Sequence, residues 1–115
     1  MRTTLNFNGK AVNLECNAAT PLVGKRLAGF DFLRFIQSLN TDELSENVDK
    51  LEKMACVMAL QAEKPFSEVL KVDFDEAFLE FLNRFEIFEL ISEVLPKVVE
   101  LFGASNETTS QPKNA

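Results

Sequence analysis

Residues 5–14 read Leu5-Asn6-Phe7-Asn8-Gly9-Lys10-Ala11-Val12-Asn13-Leu14, and this stretch decides the fold class. Polar and apolar residues alternate on both sides of Asn8-Gly9, the period of a half-buried strand. A type I′ turn needs positive φ at both central residues, and Asn-Gly supplies it most readily. A two-residue loop then sets Phe7 opposite Lys10 and Leu5 opposite Val12. Leu5, Phe7, Val12 and Leu14 share one face, with Asn6 and Asn13 on the other. The pattern predicts a β-hairpin over about residues 3–16. Two strands alone are marginal in water, so the apolar face must lie on helices later in the chain.

The remainder of the chain is helical in pattern. In residues 17–30, Thr20-Pro21 can open a short helix, Thr20 as N-cap and Pro21 at the first helical position, with Gly24 and Gly29 weakening it; a loop with a helical turn fits the stretch equally well. Asp31 caps a helix through about Leu39. Asn40-Thr41-Asp42-Glu43 is a further start signal, a cap residue with Glu three positions on. The helix it opens places Leu44, Val48, Leu51, Ala55, Met58 and Ala62 on one amphipathic face. Pro65 ends it or restarts the chain as a short turn, Phe66 to Leu70.

Asp73-Phe74-Asp75-Glu76 is another cap. Phe74, Phe78, Phe81, Phe85 and Phe88 come after it at helical spacing, a stripe of five rings. Beyond Phe88 the phase slips by one residue, to Ile91, Leu95, Val98 and Phe102. A kink or a new helix near residues 86–95 explains the slip, with Pro96 at a helix start and Gly103 as a C-terminal cap. The expected class is mainly α (α+β): a hairpin packed on a bundle of about four to five helices, one domain over 1–103. The polar segment 104–115 is expected to be a flexible tail.

Composition narrows the function. Of 115 residues 46% are apolar, including eleven Phe and no Trp, Tyr or His. Phe suits packing and docking better than chemistry. Without His there is no imidazole base, and Ser or Cys nucleophiles lack their usual activator. Cys16 and Cys56, far apart, cannot complete a zinc site and read as reduced, buried thiols. No cofactor or metal is expected, and the chain reads as a non-enzyme. The first ten residues lack the apolar core of a signal peptide, and no run is long enough to span a membrane. The net charge of −6 argues against nucleic acid as a partner. It is unevenly spread: residues 1–40 carry +3 and the remainder −9.

Asp73, Asp75 and Glu76 lack the length and the Gly of a calcium loop, so capping is their expected role. Gly24 to Gly29 is not followed by Lys-Ser/Thr, which excludes a phosphate loop. Most of the Phe stripe is expected in the core, but five rings in fifteen residues exceed what one helix needs. Phe81, Phe85 and Phe88 are the candidates for facing a protein partner. Lys25, Arg26 and Arg34, in the basic front of the chain, are the candidates for self-association with an acidic back.

Taken in order, these elements resemble one family. The hairpin LNFNGKAVNL is followed by Gly-Phe-Asp-Phe-Leu at Gly29–Leu33 and an acidic helix ending Met-Ala-Cys-Val-Met-Ala-Leu-Gln-Ala. Then come DFDEAFLEFLNRFEIFEL, Leu-Pro-Lys-Val-Val-Glu-Leu-Phe and a short Thr/Ser/Pro/Lys/Asn tail. The pattern, over nearly the whole chain, resembles the tail assembly chaperones of long, non-contractile-tailed phages and prophages, especially of Gram-positive hosts. The resemblance implies a protein that coats the tape measure protein and keeps it soluble. It also implies recruitment of tail tube subunits, homo-oligomers of open spiral form, action in the host bacterial cytoplasm and absence from the mature virion. Many such chaperones are made in a longer form by ribosomal frameshifting. Pro112-Lys113-Asn114 can be encoded as CCA-AAA-AAC, which contains a slippery heptamer. A small intracellular adaptor that binds one protein helix is the alternative.

Overall fold

The hairpin forms in the expected register. Strands β1 (Arg2–Phe7) and β2 (Lys10–Glu15) pair antiparallel, Leu5 opposite Val12 and Phe7 opposite Lys10. Asn8 and Gly9 take φ of 49° and 76°, the double positive φ that the two-residue turn demands. Val12 and Leu14 are buried, while Asn6 and Asn13 are exposed. The computed structural model describes residues 1–39 and 47–110, and of 104–110 the backbone only.

The helices are α1 (Thr20–Ala28), α2 (Phe32–Ser38), α3 (Val48–Glu63), α4 (Phe66–Val69), α5 (Phe74–Leu82), α6 (Ile87–Glu89) and α7 (Leu95–Ser110). A π-helical turn, Leu90–Val94, joins α6 to α7 without a break. The chain is thus mainly helical with an N-terminal hairpin, in six helical runs among the described residues. The Asn40–Glu43 start signal and Leu44 lie outside those residues, as do Pro112, Lys113 and Asn114.

Helix α3 is the axis of the fold. β2, α1, α5 and α7 all pack against it. Every residue from Met54 to Leu60 is buried as a result. This corrects the expectation of a single amphipathic face: small and flexible side chains (Ala55, Cys56, Met58, Ala59) let neighbours approach from all sides. The thiol of Cys56 is pushed up to about 12 by that burial.

Two expectations about α1 also change. Thr20 is its first residue, not its N-cap, which is Ala19. The Thr20 hydroxyl is instead buried: it accepts from the Asn17 N–H at 2.9 Å and donates to Gln61 Oε1 of α3 at 2.8 Å. The two glycines do not merely weaken the helix. Gly29 ends it at φ 84°, its N–H donating to the Gly24 and Lys25 carbonyls. At Gly24 an added Cβ would overlap the Phe32 ring, so glycine is what lets α2 close onto α1. Phe32 in turn packs on Phe30 (4.9 Å between centroids) and meets Phe102 of α7 edge-on (6.4 Å).

The caps at Asp31 and Asp73 form as expected, accepting from the backbone N–H of Arg34 and Glu76 respectively. Gly103 does not end the last helix, which runs on to Ser110. Gly103 has no positive φ and no close neighbour, so nothing there requires a left-handed cap.

Candidate functional site

The Phe stripe breaks after Leu82, and the break builds the candidate site. Asn83 to Glu86 form a turn, and Glu86 then caps α6. The Glu86 side chain accepts from the Glu89 N–H, and the Glu89 carboxylate accepts from the Glu86 N–H at 2.9 Å. This reciprocal box satisfies donors at the new helix start. Glu89 also accepts from Asn8 Nδ2 at 2.8 Å and is ion-paired with Lys10. Its carboxyl is held down at about 2, first by the Lys10 hydrogen bond, then by those from Glu86 and Asn8. The hairpin turn is thereby clamped to the head of α6.

Rings fill the space beneath the clamp. Phe7 of β1 stacks on Phe85, with centroids 6.2 Å apart. Phe81 meets Phe85 edge-on at 5.1 Å, and Lys10 Nζ lies 5.9 Å from the Phe85 centroid. Phe81 is only 2% exposed, so it is a core residue and not a partner-facing one. The reason is the packing of α5 onto α3, which turns Phe81 inward. Phe85 is half-buried by Phe7 and Phe81. Of the three expected partner-facing rings only Phe88 stands in solvent, at 81% exposure.

Phe88 has company that the stripe did not reveal. Ile87 is 73% exposed and Ile91 is 42% exposed. Ile91 belongs by α-spacing to the stripe of Leu95, Val98 and Phe102. The π turn carries it outward, because the Leu95 N–H reaches back five residues to the Leu90 carbonyl. Leu90 is buried in its place. Pro96 rationalises the wide turn: its ring has no N–H and would crowd the Ser92 carbonyl of a regular helix. Ile87, Phe88 and Ile91 form a short apolar ridge.

Beside the ridge opens a groove of about 240 Å³. Leu82, Phe85, Ile87, Leu90 and Ile91 line it from one part of the chain, and Val48 of α3 from another. Two carboxylates, Glu52 and Glu86, complete the lining. A larger surface cavity, about 330 Å³, lies against α5 and is lined by Glu63, Asp73, Glu76, Glu80 and Arg84 among others. The Arg84–Glu63 ion pair at 3.3 Å lies at that cavity.

The candidate self-association residues lie elsewhere. Lys25 and Arg26 occupy the last turn of α1, where cations complement the helix dipole, and Arg34 lies in the first turn of α2. All three are exposed, and none is ion-paired among the described residues. Leu22 and Leu33, both exposed, belong to the same two helices. No group of three His, Cys, Asp or Glu side chains among the described residues is placed to hold a metal ion. No described helix is long and apolar enough to cross a membrane.

Comparison with protein-family models, with curated proteins and with solved structures finds no match. The functional reading therefore rests on the chain's own surface and on the sequence pattern.

Proposed function

We propose that this chain is a phage tail assembly chaperone, a holdase that binds apolar helical faces of the tape measure protein and keeps them soluble. It needs no nucleotide. It acts in the host bacterial cytoplasm, helps recruit tail tube subunits and leaves before the virion is complete. The observation that carries the reading is the apolar ridge of Ile87, Phe88 and Ile91, exposed beside an apolar groove. Contiguous exposed apolar side chains of this kind mark interaction surfaces. A helix of a client can lie against them as a helix in a groove. Each contact is small, and copies aligned along one long client gain from effective concentration. The net charge of −6 keeps the coated client in solution.

Co-expression with a tape measure protein, sought as a long, helix-rich reading frame beside this gene, tests the proposal. The long protein should be recovered in the soluble fraction only when this chain accompanies it. Equal precipitation with and without the chain would remove the chaperone reading.

A further inference from the structure

The groove beside Ile87 has a charge pattern as well as an apolar one. Glu52 is half-buried in its wall and makes no hydrogen bond or ion pair among the described residues. Burial, and then the charge of Asp49 one turn earlier, push its carboxyl above the ordinary range. Glu86, a second carboxylate in the same lining, is engaged by a backbone N–H and by no cation among the described residues. Among the lysines of the hairpin and α3, Lys10 is paired with Glu89 and Lys50 lies over the faces of Phe30 and Phe35 at 5.8 and 5.4 Å, and none, Lys53 included, is ion-paired with Glu52 among the described residues. Among the described residues the groove therefore presents apolar side chains together with carboxylates that no cation pairs.

We propose that this groove docks an amphipathic helix whose apolar stripe is flanked by Lys or Arg, with the stripe on Ile87, Phe88 and Ile91 and a cation on Glu52. The inference deepens the holdase reading and rests on it for the identity of the client, a basic-flanked segment of the tape measure protein. Charge complementarity selects this occupant. A helix flanked by Glu or Asp would bring like charge against a carboxylate that burial already disfavours, and such contacts are rejected strongly. An uncharged apolar helix would cover Glu52 without a partner, which costs more than leaving it in water. A cation supplies what Glu52 lacks. The rival occupant is a second copy, whose exposed Leu22 lies near Lys25 and Arg26 in α1.

The test uses the full chain and two synthetic helical peptides of about 18 residues, long enough to span the ridge. Both carry one leucine stripe; one is flanked by Lys and the other by Glu. Binding is read by fluorescence anisotropy at moderate salt. The Lys-flanked peptide should bind at least about tenfold more tightly than the Glu-flanked one. Glu52→Gln should weaken the Lys-flanked peptide about fivefold to tenfold and leave the other no weaker. Ile87→Ser with Phe88→Ser should abolish binding of both while the circular dichroism spectrum stays unchanged.

Glu80→Gln, outside the groove, removes the same charge and serves as the control. An equal loss in Glu80→Gln would mean general attraction to an acidic protein and would overturn the proposal. So would equal affinity for the two peptides. A self-associated protein that Ile87→Ser with Phe88→Ser dissociates in sedimentation would give the groove to a second copy and overturn it as well. If the peptides fail while the tape measure protein stays soluble on co-expression, the holdase reading stands without this inference. If the Lys-flanked peptide binds as expected but the tape measure protein precipitates, the groove chemistry stands and the client is another helix.

Discussion

Lys10, the first residue after the hairpin turn, is ion-paired with Glu89 in the first turn of the last helical run, 79 residues later. Asn8 and the Glu86 N–H bond the same carboxylate. The hairpin thus reaches the helix that carries Ile87, Phe88 and Ile91.

This clamp gives a pH dependence of known sign. The Glu89 carboxyl is lowered from 4.5 to about 2 in the folded chain. A depressed folded value contributes stability above the unfolded value, and that stability is lost as pH falls through the folded one. The gap in urea midpoint between the parent and Glu89→Gln should be full at pH 7. It should begin to close below about 4.5 and nearly vanish by about 2. A gap that is constant across that range would show that the clamp does not act through the charge of Glu89.

Gly24 and Gly29 should respond differently to alanine. Gly24→Ala drives a methyl into the Phe32 ring, which is fully buried, and overpacking of that kind costs about 1–3 kcal/mol. Combining it with Phe32→Leu should recover part of the loss. Gly29→Ala meets no atom but must hold φ 84°, at a cost of about 1–2 kcal/mol that no change at Phe32 relieves. Denaturant unfolding of the single and double variants separates the two cases.

Phe81 and Phe88 should dissociate stability from binding. Phe81→Ala empties a core position and should cost about 3–5 kcal/mol. Phe88→Ser alters a ring already in water, so its stability should change by less than about 0.5 kcal/mol. Client retention should fall in Phe88→Ser although the fold is intact. Retention equal to the parent would move the docking surface away from the ridge.

The cysteines offer a probe of the core. Both are buried, and the Cys56 thiol is pushed up to about 12. At pH 8 its thiolate fraction is on the order of one in ten thousand, so native protein should react slowly with a disulfide reagent such as DTNB. Two thiols should titrate quickly once urea unfolds the chain. Rapid labelling of one thiol in the native state would reveal local opening around α3 or β2.

If copies associate through the basic front of Lys25, Arg26 and Arg34, the association should depend on salt. Light scattering should report smaller species as ionic strength rises from about 0.05 to 0.5 M, where screening shortens to a few ångströms. Lys25→Glu with Arg26→Glu should have the same effect at low salt. Oligomers indifferent to both would leave the charge asymmetry without a role in assembly.

The hairpin and the aspartate caps are legible in the sequence because each is decided locally. Alternation and Asn8-Gly9 set the register, and Asp31 and Asp73 bond donors three residues away. The rest depends on distant partners. Glycine at position 24 answers to Phe32 in another helix, and nothing beside it in sequence says so. The rings keep one spacing from Phe74 to Phe88, so spacing alone hides the break at Asn83. The break is stabilised by Glu86 with Glu89, and Glu89 is in turn bonded by Asn8 and Lys10. The slip in phase singles out the end of the stripe, Phe81, Phe85 and Phe88, and of these three only Phe88 stands in solvent. The inward face of Phe81 is set by α3, which spacing along α5 does not encode. Ile87 lies off the stripe, where periodicity gives no signal.

The π turn at Leu90–Val94 can be viewed as one supernumerary residue stored in a helix. In the short helix before it Ile87 and Phe88 look outward, and after it Leu95, Val98 and Phe102 look inward. The turn's extra residue sets the direction of the ridge: the Leu95 N–H meets the Leu90 carbonyl, in the place that Ile91 would take in ordinary winding. Wound as a regular α-helix at unchanged length, the stretch before the turn would rotate by about 100° relative to α7, Ile91 would fall toward the buried row and the ridge would leave the surface. Exposure of this surface therefore depends on how one turn of the helix is wound, and not only on which side chains it carries.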